Sequence, residues 1–138
     1  MTIAIRHIRI LDGLGHRIER GTLLIEGTRI QAVGPERDVR LPKGAQRIDG
    51  RGLTVLPGLI DCHVHFCLGA EADVVAAVEG EPSSLTLLKA AELARRTLHA
   101  GFTTVRDVGF RDHAVFALKQ AIESALTPGP RILAAGLA

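Results

Sequence analysis

The sequence predicts an α/β protein in two parts: a small antiparallel sheet first, then strands alternating with helices. Three observations carry this. Residues 1–56 read as short apolar runs punctuated by tight-turn signals, with no helical periodicity. Pro57-Gly58 then breaks the pattern. From Gly58 onward, apolar β-favouring runs alternate with stretches of near-helical spacing, the mark of a parallel sheet with crossovers. The expected division is therefore 1–57 and 58–138.

In the first part, Ile3 and Ile5 alternate with small or polar residues, and the phase then slips to Ile8 and Ile10. A slip of one residue moves side chains to the other face, so a bulge or strand end is expected near Arg6-His7. Asp12-Gly13 marks a turn. Leu23-Leu24-Ile25 and Ile30-Gln31-Ala32-Val33 flank Glu26-Gly27-Thr28-Arg29 and predict a hairpin that Gly34-Pro35 closes. Residues 37–46 are polar and read as a loop. Arg47-Ile48-Asp49 and Leu53-Thr54-Val55 are two further short strands about Gly50-Arg51-Gly52. His7 and His16 belong at the surface or a strand edge.

In the second part, Leu59–Phe66 is the first strand. Pro82 with Ser83 or Ser84 opens a helix whose apolar stripe is Leu87, Ala91, Ala94 and Leu98, and Gly101 ends it. Phe102–Val105 is the second strand. Asp112 is placed to cap a second helix carrying Val115, Leu118, Ile122 and Leu126, which Pro128-Gly129-Pro130 stops. Residues 131–136 start a third strand. Between Cys67 and Glu81 lies a long connection in which Ala72–Val78 has room for a short helix. It holds Glu71, Asp73, Glu79 and Glu81 and no basic residue. It reads either as a rim segment favouring positive substrate groups or as a solvated loop.

Composition excludes several classes. The chain has 138 residues, 46% of them apolar, and a net charge of +2. Four Phe and neither Tyr nor Trp leave little for base stacking, so no nucleic-acid partner is expected. No apolar run reaches the 18 or so residues of a membrane span, and the N-terminus lacks a signal-peptide layout. Cys62 and Cys67 are badly placed to pair, so a cytoplasmic location is expected. The expected assembly is a homo-oligomer.

The chemistry concentrates in Leu-Pro-Gly-Leu-Ile-Asp-Cys-His-Val-His-Phe, residues 56–66. On a strand Asp61, His63, His65 and by extension Cys67 share one face, and Cys62, Val64 and Phe66 the other. Imidazoles at i and i+2 have Cα atoms about 7 Å apart and can converge on one ion. This phrase resembles the signature of the amidohydrolase superfamily of metal-dependent hydrolases. Residues 101–107 (Gly-Phe-Thr-Thr-Val-Arg-Asp) and 129–136 (Gly-Pro-Arg-Ile-Leu-Ala-Ala-Gly) also look like that family, most of all the branch near imidazolonepropionases and prolidase-like Xaa-Pro dipeptidases.

The resemblance implies a fold: the N-terminal part of a (β/α)8 TIM barrel, covering its first three strands and two helices, preceded by part of a small antiparallel β-sandwich domain. It implies that His63 and His65 close the first barrel strand and bind the more buried metal, zinc or another divalent metal in a binuclear site of the complete enzyme. It implies hydrolysis of an amide or peptide C–N bond by metal-activated water, on a small amide or a dipeptide. A (β/α)8 barrel takes about 250 residues, and 81 follow Pro57. The family's remaining site residues, a lysine, two histidines and an aspartate from later strands, would come from the rest of the barrel, on the same or another chain. The alternative is a truncated, non-catalytic module that binds a partner chain through open sheet edges.

Other residues near the pair have two readings each. Asp61 is a buried polar residue or supporting partner of a ligand, or else a direct ligand. Cys67 extends the set to His-x-His-x-Cys or lies past the strand. Asp107 contacts substrate or supports the site by hydrogen bonding; otherwise it pairs with Arg106 or caps a helix. His99 and His113, near helix ends, read as structural.

Overall fold

A computed structural model describes residues 1–69, 72–73, 76, 79–109 and 113–136. The chain divides into two compact units, Met1–Pro57 and Gly58–Ala138.

The first unit is a five-stranded sheet of β1 (Thr2–Leu11), β2 (Arg17–Glu26), β3 (Arg29–Pro35), β4 (Gln46–Asp49) and β5 (Thr54–Val55). The order is β3-β2-β1-β4, with β5 also beside β1. β1, β2 and β3 form an antiparallel meander. Its second turn is the expected one: Glu26 pairs with Arg29 around Gly27, whose φ of 58° suits a two-residue hairpin loop. The sheet is not purely antiparallel, because β4 and β5 both run parallel to β1. Gly50-Arg51-Gly52 does not reverse the chain as a hairpin would. It makes a kink, with Gly50 N–H donating to Arg6 O and Arg9 N–H to Leu53 O, so β4 and β5 follow β1 in one direction.

The slip near Arg6-His7 is a bulge. The β1–β2 register shifts between Arg6 and Ile8, and His7 has a φ of 58°, rare for a residue with a side chain. A second shift lies between Ile8 and Ile10. The first flip in parity lets Ile5 share one apolar cluster with Ile8 and Ile10, together with Ile18, Leu23, Ile25 and Val55.

The second unit is strand-helix-strand-helix-strand: β6 (Leu59–Val64), α1 (Ser83–His99), β7 (Phe102–Asp107), α2 (Ala114–Glu123) and β8 (Arg131–Ala134). β6, β7 and β8 are parallel, with β7 central. Val105 of β7 and Ile132 of β8 face the helices and pack with Ala90 and Ala94 of α1, Val115 and Leu118 of α2, and Phe66. On the other face Arg106, Ile60 and Leu133 are exposed, the last two at 66% and 55%.

Three elements differ from the sequence reading. The buried stripe of α1 is Thr86, Ala90 and Ala94, with Leu87 and Ala91 half-buried beside it. β7 continues two residues past Val105, to Asp107. α2 ends at Glu123, and Leu126 lies beyond it, 82% exposed. Asp112, Glu71 and most of Ala72–Val78 fall outside the described residues. No helix among the described residues is long and apolar enough to cross a membrane.

Candidate metal centre

His63 is the fifth residue of β6, and His65 follows the strand's last residue, Val64. Their rings meet edge to face with centroids 5.3 Å apart and planes at 68°. For two imidazoles bound tetrahedrally to one zinc at Zn–N about 2.0–2.1 Å, the centroids fall about 5 Å apart. The pair therefore fits the spacing that one shared ion requires.

Hydrogen bonds around His65 fix which nitrogen is on offer. Its Nδ1 lies 2.5 Å from Gly109 O. A carbonyl can only accept, so Nδ1 carries the proton and the neutral ring keeps its lone pair on Nε2. Metal-binding histidines characteristically donate their second N–H in this way.

Asp107 anchors the same region from β7. It is 1% exposed. Its Oδ2 accepts from Phe66 N–H at 2.8 Å and its Oδ1 from Gly109 N–H at 2.9 Å. Val108 N–H adds a bond to Val64 O. Asp107 thus neither pairs with Arg106 nor caps a helix. Arg106 turns instead to β6, its Nε donating to Cys62 O at 2.7 Å. The sequence places Gly109 just past the second strand, in Arg106-Asp107-Val108-Gly109, without showing a role for it. The available signal was Asp107-Val108-Gly109, an acidic residue two positions before a glycine, as in an Asx turn.

Asp61 is half-buried, and its Oδ1 takes the His63 N–H at 3.0 Å, a local bond within the strand. Cys67 does not extend the row. β6 ends at Val64, the Phe66 N–H is diverted to Asp107, and Leu68 N–H turns back onto His65 O. Cys62 and Cys67 both keep their thiols. Among the described residues no three His, Cys, Asp or Glu side chains are grouped to hold a metal. The two histidines supply fewer than the three protein ligands usual for catalytic zinc.

The remaining candidates lie elsewhere. His7 sits between two carboxylates, with Nε2 3.0 Å from Glu36 and Nδ1 3.1 Å from Asp49. His16 pairs with Asp12 at 2.6 Å. His99 is in the last turn of α1, and His113 precedes α2 with its ring 5.8 Å from Phe116. In the acidic connection, Glu81 is paired with Lys89 of α1 at 2.6 Å, and Asp73 accepts from Ala76 N–H. The charge of Glu81 is thereby met inside the fold.

A family model described as the amidohydrolase family matches residues 54–138. The chain belongs to the amidohydrolase family. This amidohydrolase chain is 32% identical over 105 residues to an imidazolonepropionase of Chloroflexus aggregans, covering 66% of the chain and 25% of that protein. It is 42% identical over 66 residues to a dihydroorotase of Lactococcus lactis, covering 48% and 15%. A crystal structure of a Xaa-Pro dipeptidase with methionine bound in its active site superposes with a TM-score of 0.84 at 31% identity, covering 100% of the chain and 34% of that structure. The chain thus spans a quarter or less of these two curated relatives. These relatives are enzymes, and the amidohydrolase family is generally metal-dependent.

Proposed function

We propose that the chain supplies the first metal ligands of a metal-dependent amidohydrolase that cleaves an amide or peptide C–N bond, with a dipeptide of the Xaa-Pro kind as the favoured substrate. In this reading residues 1–57 are part of a small β-sandwich domain. Residues 58–138 are the first three strands and two helices of a (β/α)8 barrel, with β6, β7 and β8 in those strand positions. The remainder of the barrel adds the other ligands and the proton-transferring carboxylate. The metal in this reading is zinc in a binuclear site, as the family resemblance implies, and imidazole ligands also suit other divalent metals.

One observation carries the reading: two imidazoles 5.3 Å apart at the C-terminal end of a parallel strand, one with Nδ1 committed to a backbone carbonyl. The C-terminal ends of parallel strands are where barrel enzymes build their active sites. When bound, the metal supplies Lewis acidity toward the scissile carbonyl and the attacking water. His63 and His65 hold and orient it through neutral ring nitrogens. Asp61 steadies the His63 backbone through its bond to the His63 N–H.

The test is metal content of the full protein. His63→Ala and His65→Ala should each lower bound zinc and C–N bond hydrolysis by orders of magnitude while the protein stays folded. Undiminished zinc in a folded double variant overturns the assignment, and a panel of dipeptides against cyclic amides separates the substrate classes.

A further inference from the structure

Asp107 is a buried carboxylate, and no cation among the described residues pairs with it; the adjacent Arg106 is directed to Cys62 O. Burying such a charge is costly unless hydrogen bonds replace the lost water. Here both oxygens are used, on two segments 43 positions apart in the chain: Phe66 N–H and Gly109 N–H. An asparagine has one acceptor oxygen, and its amide N–H2 would face the second backbone N–H. The arrangement therefore calls for a carboxylate.

Both segments bear on His65. The Phe66 N–H belongs to the peptide unit that begins at the His65 carbonyl. Gly109 provides the carbonyl that receives the His65 Nδ1 proton, and it does so from a φ of 91° that a residue with a side chain rarely adopts. The carboxylate holds the backbone of His65 on one side and the acceptor for its ring on the other.

We propose that Asp107 is a positioning residue: by clamping Phe66 and Gly109 it keeps the Nδ1–H of His65 on the Gly109 carbonyl, and so fixes Nε2 as the nitrogen His65 offers to a metal. This rests on the reading of His65 as a ligand. Without the clamp the Gly109 carbonyl is free to move, Nδ1 loses its acceptor, and the ring presents a mixture of tautomers. Outer partners of metal-bound histidines change affinity by about 10- to 100-fold when removed.

The experiment is imidazole 15N NMR on the metal-free full protein, paired with zinc affinity by competition against a chelator. The unmutated protein should show His65 as the Nδ1–H tautomer; an Nε2–H tautomer overturns the proposal without any variant. Asp107→Asn should move His65 to a tautomer mixture and weaken zinc about 10- to 100-fold. Leu23→Ala, a core change in the separate apolar cluster of Ile8 and Ile10, should lower stability and leave the tautomer and zinc affinity alone. If both variants shift the tautomer alike, Asp107 is merely structural; if Asp107→Asn leaves it unchanged, the clamp does not act. If Asp107→Asn does not fold, Asp107→Ser, which keeps one acceptor, takes its place. Failure of the ligand reading looks different: the tautomer responds as stated, and no zinc is bound with or without Asp107.

Discussion

Gly58 lies so close to Thr103 that a Cβ at residue 58 would come within 2.0 Å of Thr103 Oγ1 and 2.6 Å of its Cβ. Glycine here permits β6 to start flush against β7; it does more than interrupt the chain after Pro57. Gly58→Ala should therefore overpack the strand pair and cost about 1–3 kcal/mol, read as a lowered urea midpoint with an unchanged m-value. Adding Thr103→Gly should recover part of the loss. A Gly58→Ala protein as stable as the parent would remove this account.

Ala125 offers a change in the opposite direction. It ends α2 with a φ of 59°, donating from its N–H to Ile122 O while Leu126 N–H reaches Ala121 O. These two bonds form a Schellman cap, in which the left-handed position usually belongs to glycine. A Cβ there costs about 1–2 kcal/mol. Because Ala125 is exposed, Ala125→Gly should raise stability by about 1 kcal/mol. A lower thermal midpoint for that variant would refute the strain.

The first unit should be acid-sensitive. A hydrogen bond from Arg20, reinforced by Arg6, holds Glu36 below its ordinary value, and bonds from Arg51 and then His7 hold Asp49 well below its own. Depressed carboxylates stabilise the fold above their unfolded values, 4.5 for Glu36 and 3.8 for Asp49. That stabilisation is lost as pH falls through the lower folded values. Urea midpoints followed from about pH 6 to about pH 3 should decline, and Glu36→Gln with Asp49→Asn should flatten the decline. An equal slope in the double variant would argue against the pairing.

Leu118 is fully buried among Ala90, Ala94, Val105, Val115 and Ile132. Leu118→Ala should cost about 2–5 kcal/mol by lost burial and the cavity left behind. Denaturant unfolding of the purified variant measures it, and a loss within error of zero would show that α2 does not seal this core.

Local chemistry was legible where a single residue type dictates the backbone. Gly27 announced its hairpin, the isoleucine phase slip announced the bulge at His7, and Gly101 announced the end of α1. The end of α2 was hidden because alanine occupies the glycine position of its cap, so the apolar spacing ran on to Leu126. The direction of β4 and β5 was hidden because parallel and antiparallel partners read alike within one strand. The His63-x-His65 spacing pointed to a pair of imidazoles, and the structure brings their rings together. The carbonyl that receives His65 Nδ1 comes from Gly109, 44 positions away, a juxtaposition that only the β6–β7 pairing creates.

The two slips in the β1–β2 hairpin cancel. Between the pairs Arg6–Thr22 and Ile10–Ile18, each strand advances four positions, although β1 takes two steps to the other's one at His7 and β2 takes three to two after Gly21. The lengths of the two strands are consequently coupled. Deleting His7 alone would shift the tip of the hairpin by one residue against its partner and turn its side chains inside out. Deleting His7 together with Glu19 or Arg20 would leave a straight ladder that closes on the same turn. Insertions and deletions in this part of the chain should be tolerated only as matched pairs, one from each strand.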